Sequence, residues 1–237
     1  RFLLFFIISI LTIGFFILNI NVTTRQGINY TVYTLKIPLY LKVLDFYDRH
    51  FNYKWLVHRI INGKAAEEEK VMAIFNWTIE NIAKQPKELR EVDDHVWHII
   101  VRGYGTHDQF SDVFTTLCNY ADIDAFFARI SNKDKTSNLP LSFVRINGEW
   151  RIFDPYNRSY FIKKDNFLAA IQDIGEGNWM IKSLEESFDS SKVQYADYIS
   201  EIVLINPEKS HKWSRANIQT PINRLFYAIF QKTPEAP

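Results

Sequence analysis

The stretch that decides the fold is RGYGTHDQFSDVFTTLCNYADIDAFFARI, residues 102–130. It begins with a Gly-Tyr-Gly turn, after which Thr106 and Gln109 have the three-residue spacing of a capping box. Apolar side chains then recur with helical spacing, which predicts a helix that buries one face. These side chains are Phe110, Val113, Phe114, Leu117 and Cys118. The apolar run 126–130 predicts a strand, so we expect a helix that leads into a sheet, with His107 in the first turn of the helix.

A β-hairpin is the next strong signal along the chain. Two apolar runs flank Asn147 and Gly148, a pair that favours a two-residue type I′ turn. The register that follows places Phe143 opposite Ile152 across the two strands. Asp154 and the proline after it then end the second strand. The two patterns together predict an α+β fold in which a helix packs on an antiparallel sheet.

Composition bounds the rest of the interpretation. The chain has 237 residues, of which 47% are hydrophobic, enough for one core with attachments. Its formal net charge of +1 argues against nucleic acid as a partner. The single cysteine rules out an intramolecular disulfide. We expect no cofactor.

The N-terminal segment has a different character. Residues 2–20 carry no charge and would extend about 28 Å as a helix, enough to cross the hydrocarbon layer of a lipid bilayer. The segment has no small-residue cleavage site, so we predict a transmembrane signal anchor over residues 1–22. A buried core helix is the alternative. Arg1 before the apolar run indicates a cytoplasmic N-terminus, with the globular part on the periplasmic or extracellular side of the cell membrane.

The remaining chain divides into three parts. Residues 23–66 form an extended linker and an aromatic, amphipathic helix at 40–61, and residues 67–168 form the α+β core. Residues 169–237 form a helical C-terminal extension, in which 221–231 has one apolar face. That face has to pack on the core of this protein, on the bilayer interface or on another protein. We expect the aromatic helix 40–61 and the helix 221–231 to contact a membrane protein partner.

The core resembles a known family. A glycine turn, a helix, a strand and a hairpin of the form G-x-W-x-x-x-D-P together are similar to the transglutaminase-like fold, the papain-like α+β core of transglutaminases and many bacterial cysteine proteases. The resemblance covers roughly residues 67–165. It implies a nucleophilic cysteine at the start of the helix, a histidine on the first hairpin strand and an aspartate at the end of the second.

The catalytic triad that the resemblance implies is incomplete here. The cysteine position falls on His107, and the histidine position falls on Leu139, or on Leu141 after a shift of two. Only Asp154 matches, and residues 131–160 contain no histidine. We therefore expect a degenerate member whose aspartate has no imidazole to orient and instead fixes the backbone at the strand end. Cys118, on the apolar face of the helix, is expected to be buried and unreactive.

Two functional hypotheses follow. The first is a single-pass, membrane-anchored, catalytically inactive domain that acts as scaffold or accessory subunit of a larger membrane protein complex, or binds a peptide or glycan in the old cleft. The second is a hydrolase or acyl-transfer enzyme with a site rebuilt around His107 and Asp154, with Asp108 and Asp112 nearby and with or without a metal. The remaining metal-ligand candidates are His95 and His98, whose spacing puts them on one helical face together.

Overall fold

A five-stranded antiparallel sheet is the centre of the described part of the chain. The structure, a computed structural model, describes residues 2–28, 31–89, 91, 95–184 and 194–213, and gives the backbone alone for 24–28, 31–34 and 213. The helices are α1 (Phe2–Leu18), α2 (Leu39–Ile60), α3 (Glu67–Asn81), α4 (Val96–Arg102), α5 (His107–Tyr120), α6 (Ile171–Gly175), α7 (Ile199–Leu204) and α8 (Pro207–Trp213). The strands are β1 (Asn21–Ile28), β2 (Thr31–Pro38), β3 (Ala83–Lys84), β4 (Tyr104–Gly105), β5 (Ala125–Ser131), β6 (Asn138–Ile146), β7 (Glu149–Asp154), β8 (Ser159–Ile162) and β9 (Met180–Ser183).

The central sheet has the strand order β5-β6-β7-β8-β9. The predicted hairpin forms its middle, and Phe143 lies opposite Ile152, which confirms the register. Asn147 and Gly148 both have positive φ, of 52° and 84°, as a type I′ turn requires. The hairpin turn therefore fixes which side chains of β6 and β7 face each side of the sheet.

Helix α5 crosses one face of this sheet and positions the candidate site. Gln109 Oε1 accepts a hydrogen bond from the Thr106 backbone N–H at 3.1 Å, so the predicted capping box is present. A Cβ on Gly105 would lie 3.0 Å from Gln109 Cβ, tighter than most Cβ contacts in proteins, so a larger residue there would require Gln109 to shift. The apolar stripe of α5 is buried against α3 and the sheet, as predicted.

The sheet separates two apolar clusters. The helix-side cluster joins α2, α3, α4 and α5 to one face of the sheet. The tail-side cluster joins the opposite face to α6, α7 and a 3-10 turn at Tyr195–Tyr198. Its buried members include Leu139, Leu141, Phe143, Ile152 and Tyr195. Segments after residue 168 are thus packed into the body of the fold.

The sequence analysis expected a helical C-terminal extension, but the described part of this extension also contains a strand. Met180–Ser183 form β9, which pairs antiparallel with β8 and places Phe161 opposite Ile181. The partly buried Ile181 packs on the tail-side cluster, so tertiary packing favours a strand there. The sheet thus continues past residue 168, where the sequence analysis ended the core. The predicted helix at 221–231 lies outside the described residues.

The N-terminal elements form a separate group of contacts. Helix α1 covers 17 residues, none of which is buried. The β1–β2 hairpin connects α1 to α2, and the Leu39 N–H donates to the Ile20 carbonyl at 2.9 Å. Within the described ranges, no helix combines the length and the apolar character that crossing a membrane needs. The transmembrane helix over residues 1–22 therefore stays a prediction.

Candidate functional site

The centre of the site is the carboxylate of Asp154, which is fully buried at the end of β7. Its Oδ1 accepts hydrogen bonds from His107 Nε2 at 2.9 Å and from the Asn157 backbone N–H at 3.1 Å. Its Oδ2 accepts from Asn157 Nδ2 at 2.8 Å and from the Tyr195 hydroxyl at 2.8 Å. Each carboxylate oxygen thus has two donors, which is how a buried charge is stabilised in a protein interior.

The charge state of this group follows from the same contacts. Burial raises the pKa of Asp154, but the hydrogen bond and charge of His107 and the two hydrogen bonds from Asn157 outweigh it, so the pKa lies below its ordinary value. Asp154 is therefore a carboxylate at neutral pH, and His107 Nε2 carries the proton that joins them. When the ring is neutral, its Nδ1 keeps a lone pair.

The imidazole of His107 is also held by aromatic contacts. Its ring stacks on Tyr156 with a centroid distance of 4.6 Å and an interplanar angle of 16°. Phe110 meets the edge of Tyr156 at 5.3 Å, and Lys84 Nζ lies over the Tyr156 ring, 4.7 Å from its centroid. The side chain of His107 is 21% exposed. These contacts fix the plane of the ring, while a part of it stays open to solvent.

Tyr195 closes the site from the tail side of the sheet. Its hydroxyl also lies 2.7 Å from Ser159 Oγ, within hydrogen-bond distance. Burial and the charge of Asp154 raise the pKa of Tyr195 well above its ordinary value, so the hydroxyl keeps its proton and acts as a donor. The sequence analysis did not find this residue. No local pattern connects a tyrosine to an aspartate 41 residues earlier in the chain.

One expectation about Asp154 is wrong. The sequence analysis expected this aspartate to have no imidazole partner, yet His107 supplies one from the helix, not from strand β6. The reason is that the first turn of α5 lies beside the end of β7, within reach of a histidine side chain. The second expectation, that Asp154 fixes the backbone at the strand end, is confirmed by its bond to the Asn157 N–H.

Leu139, at the aligned histidine position, and Cys118, the single cysteine, both lie in apolar surroundings. Leu139 lies on β6 opposite Ile130, almost fully buried in the tail-side cluster. Cys118 is completely buried about three helical turns after His107, and burial raises the pKa of its thiol well above its ordinary range. The prediction that Cys118 behaves as a small buried hydrophobe is confirmed.

The remaining candidates have contacts of their own. Asp108 accepts hydrogen bonds from Thr106 Oγ1 at 2.6 Å and from Arg129 at 2.8 Å, at the start of α5. Asp112 is buried one turn further along. The rings of His95 and His98 have centroids 5.8 Å apart. Among the described residues, no group of three or more potential ligands is arranged to hold a metal ion, so His107 is not joined to this pair in a metal site.

The fold and the site together define the class of protein: an α+β domain in which the N-terminus of a helix lies beside an aspartate at the end of a strand of an antiparallel sheet. Residues 54–155 match the sequence profile of the Transglutaminase-like superfamily, which confirms the family resemblance for this part of the chain.

Solved structures give a weaker comparison. A candidate cysteine protease from Cytophaga hutchinsonii has 17% identity and a TM-score of 0.40, over 59% of this chain and 53% of its own. A candidate protease from Parabacteroides distasonis has 13% identity and a TM-score of 0.39, over 56% of this chain and 35% of its own. A transglutaminase has 15% identity and a TM-score of 0.39, over 79% of this chain and 61% of its own. The chain thus covers about half the length of the first of these proteins, and no curated protein matches it.

Proposed function

We propose that this chain is a membrane-anchored, non-catalytic transglutaminase-like protein that acts as a scaffold or accessory subunit of a membrane protein complex. The observation that carries the proposal is the pairing of His107 with Asp154. The position where the family resemblance places a nucleophile holds a histidine, and its ring is bound to the carboxylate that would otherwise orient a catalytic base.

The chemistry of the neighbouring groups supports a structural role. Covalent acyl transfer needs a nucleophile next to a base, and the base in turn needs an orienting group. Asp154 and His107 supply the last two, but the single cysteine of the chain is fully buried in the core. Both oxygens of Asp154 already have two donors each. This arrangement stabilises the junction of α5, β7 and the tail.

Substitution of His107 by two different residues tests this proposal. His107→Gln keeps an N–H donor for Asp154 but removes the basic ring, whereas His107→Ala removes both. A structural role predicts that the glutamine variant retains stability and partner binding, while the alanine variant loses stability. Neither variant should change the rate of p-nitrophenyl acetate hydrolysis or of amine incorporation into a glutamine peptide. A rate that exceeds the buffer control and disappears in His107→Gln would contradict the proposal.

The membrane part of the proposal rests on α1. An apolar helix of 17 residues with no buried face has to place its side chains in an apolar environment, and a lipid bilayer supplies one on all sides. We therefore expect the full chain to float with phosphatidylcholine vesicles and to resist extraction by alkaline carbonate. Release of the whole protein by carbonate would contradict the anchor.

The accessory role predicts a partner of fixed stoichiometry. Purification from native membranes in a gentle detergent should recover the chain in a complex, and substitutions in the tail 221–231 should weaken it. A chain that runs only as a monomer under these conditions contradicts the scaffold role, although it leaves the anchor untouched.

A second candidate function is supported by the same 2.9 Å contact. A histidine held through Nε2 by a buried carboxylate can use its other nitrogen, Nδ1, as a general base. It would take a proton from water while the water oxygen attacks an acyl carbon. The tetrahedral adduct would then collapse with cleavage of the bond to the leaving alcohol or amine, which takes the proton back from Nδ1, so that the acid is released and the protein acts as a hydrolase. The His107→Gln variant separates the two candidates, because only the hydrolase loses its activity. If divalent metal assists, calorimetry should show stoichiometric binding that His107→Ala abolishes.

A further inference from the structure

Helix α2 has two faces with different surroundings. One face packs against the core, where Tyr53 stacks on Tyr120 at 4.7 Å and Val57 is buried. On the other side, five large apolar or aromatic residues recur every three or four positions, as they do on one helix face. We call this set the aromatic stripe, and its residues are 39% to 63% exposed. The stripe consists of Tyr40, Leu44, Tyr47, Phe51 and Trp55.

The position of the stripe relative to α1 is fixed by the backbone. Asn21 pairs with Pro38 at the base of the β1–β2 hairpin, and the Leu39 N–H donates to the Ile20 carbonyl. Lys42 Nζ donates to the Thr23 carbonyl at 2.6 Å. The first turn of α2 therefore lies at the end of the apolar helix α1. If α1 is inserted in a bilayer, the stripe starts where the hydrocarbon meets the headgroups.

The composition of α2 fits that location. Tyrosine and tryptophan prefer the membrane–water interface, and lysine and arginine extend their charged ends from it towards phosphate. Lys54 lies on the exposed part of α2 beside the stripe, and the guanidinium of Arg59 lies over the Trp55 ring, 4.8 Å from its centroid. Apolar, aromatic and basic side chains thus occur together on the surface that the core leaves uncovered.

The area of the stripe argues against a second copy of the chain as its occupant. The helix extends about 22 Å from Tyr40 to Trp55 and presents a strip roughly 10 Å wide, or about 220 Å². A stable dimer buries about 800 Å² on each partner. A bilayer needs no such area from α2, because α1 already supplies the anchoring energy.

We infer that the aromatic stripe of α2 lies in the headgroup region of the bilayer that holds α1, so that α2 is an interfacial helix and holds the domain against the membrane. This inference rests on the membrane anchor proposed above. It adds a second contact with lipid that sets the orientation of the domain, because α2 packs directly on α3 and α5 through its buried face.

Site-directed spin labelling of the full chain tests the inference. Single cysteines are introduced at Leu44, Tyr47, Phe51 and Trp55 in a Cys118→Ser background, with a matched label at the exposed loop residue Lys135. The variants are reconstituted into vesicles of phosphatidylcholine and phosphatidylglycerol. For each label we measure the ratio of its collision rate with oxygen to its collision rate with a water-soluble nickel complex. This ratio should be several-fold higher for labels on the stripe than for the label at Lys135. A label at His58 or Arg59 near the C-terminal end of α2 checks whether the contact fades there.

The outcomes separate this inference from the proposed function. If the protein does not associate with vesicles at all, the anchor fails and the inference falls with it. If the protein floats but the Phe51 label is as accessible to nickel as the Lys135 label, the inference alone is overturned. Spin–spin broadening at Phe51 that disappears on dilution with unlabelled protein would assign the stripe to a second copy and likewise overturn it.

Discussion

The substitution Asp154→Asn examines whether the buried carboxylate stabilises the fold through its four donors. Asparagine has the same shape but replaces one oxygen with an NH₂ group. If the new NH₂ group takes the place of Oδ2, it faces two other donors, Asn157 Nδ2 and the Tyr195 hydroxyl, which both lie 2.8 Å from Oδ2 in the native protein. The Tyr195 hydroxyl can turn to donate to Ser159 Oγ, 2.7 Å away, but the Asn157 amide has no such alternative within this group of contacts.

The expected magnitude follows from these contacts. One unsatisfied buried donor costs about 1–3 kcal/mol. The bond from His107 changes from charge-assisted to neutral, which loses about 1 kcal/mol more. We therefore expect Asp154→Asn to lower the free energy of unfolding by about 2–4 kcal/mol at neutral pH. The substitution Asp134→Asn in the exposed loop is the matched control and should change it by less than about 0.5 kcal/mol.

The destabilisation caused by Asp154→Asn should become smaller as the pH falls. Because the folded-state pKa of Asp154 lies below its ordinary value, its ionisation stabilises the fold fully above about pH 4 and this stabilisation is lost as the pH falls through the folded pKa. The asparagine variant has no such group. The gap in unfolding free energy between the two proteins should therefore be constant above about pH 5 and should narrow below about pH 4.

Urea unfolding followed by tryptophan fluorescence at a series of pH values measures both quantities. A gap of less than about 0.5 kcal/mol at neutral pH would refute the reasoning, because surface substitutions reach that size. So would a gap that stays the same down to the lowest pH at which the native state persists. Either result would mean that the four donors do not stabilise the carboxylate in the folded state.

Three further predictions concern single side chains. Tyr195→Phe removes one donor from Asp154 and should lower the free energy of unfolding by about 1–3 kcal/mol, as measured by the same urea titration. Gly105→Ala forces a Cβ to within 3.0 Å of Gln109 Cβ and should destabilise by about 1–3 kcal/mol in a thermal melt, whereas an unchanged melting temperature would show that α5 adjusts freely. Cys118 should not react with a thiol reagent in the native protein and should react at the rate of unfolding in urea, so rapid native-state labelling would contradict its burial.

Local signals in the sequence were sufficient for the elements that frame the site. The start of α5 follows from the Thr106–Gln109 spacing, and its buried face follows from the apolar period. The hairpin follows from Asn147 and Gly148, which tolerate the positive φ that the turn demands. These features depend on neighbours only a few residues apart, so one sequence contains all the information they need.

The pairing within the site could not be obtained in this way. His107 and Asp154 are 47 residues apart, and Tyr195 is 41 residues beyond Asp154. Their contacts depend on how α5 lies across the sheet and on which face of the sheet the tail covers. The family resemblance also directed attention to strand β6 as the source of an imidazole, whereas the helix supplies it. No sequence pattern near a histidine at a helix N-terminus or an aspartate at a strand end predicts that the two bind each other.

The hydroxyl that Tyr195 places on Asp154 has a practical consequence for anyone who trims the chain. A fragment cut to the family-matched residues 54–155 ends one residue after Asp154 and omits β8, β9, Asn157 and the 3-10 turn. In such a fragment the carboxylate of Asp154 would lose the donors of Asn157 and Tyr195, and β7 would become an exposed edge strand. We expect the fragment to aggregate. Boundaries drawn from the family profile alone are therefore too short here, and an expression fragment needs to include at least the 3-10 turn at Tyr195–Tyr198.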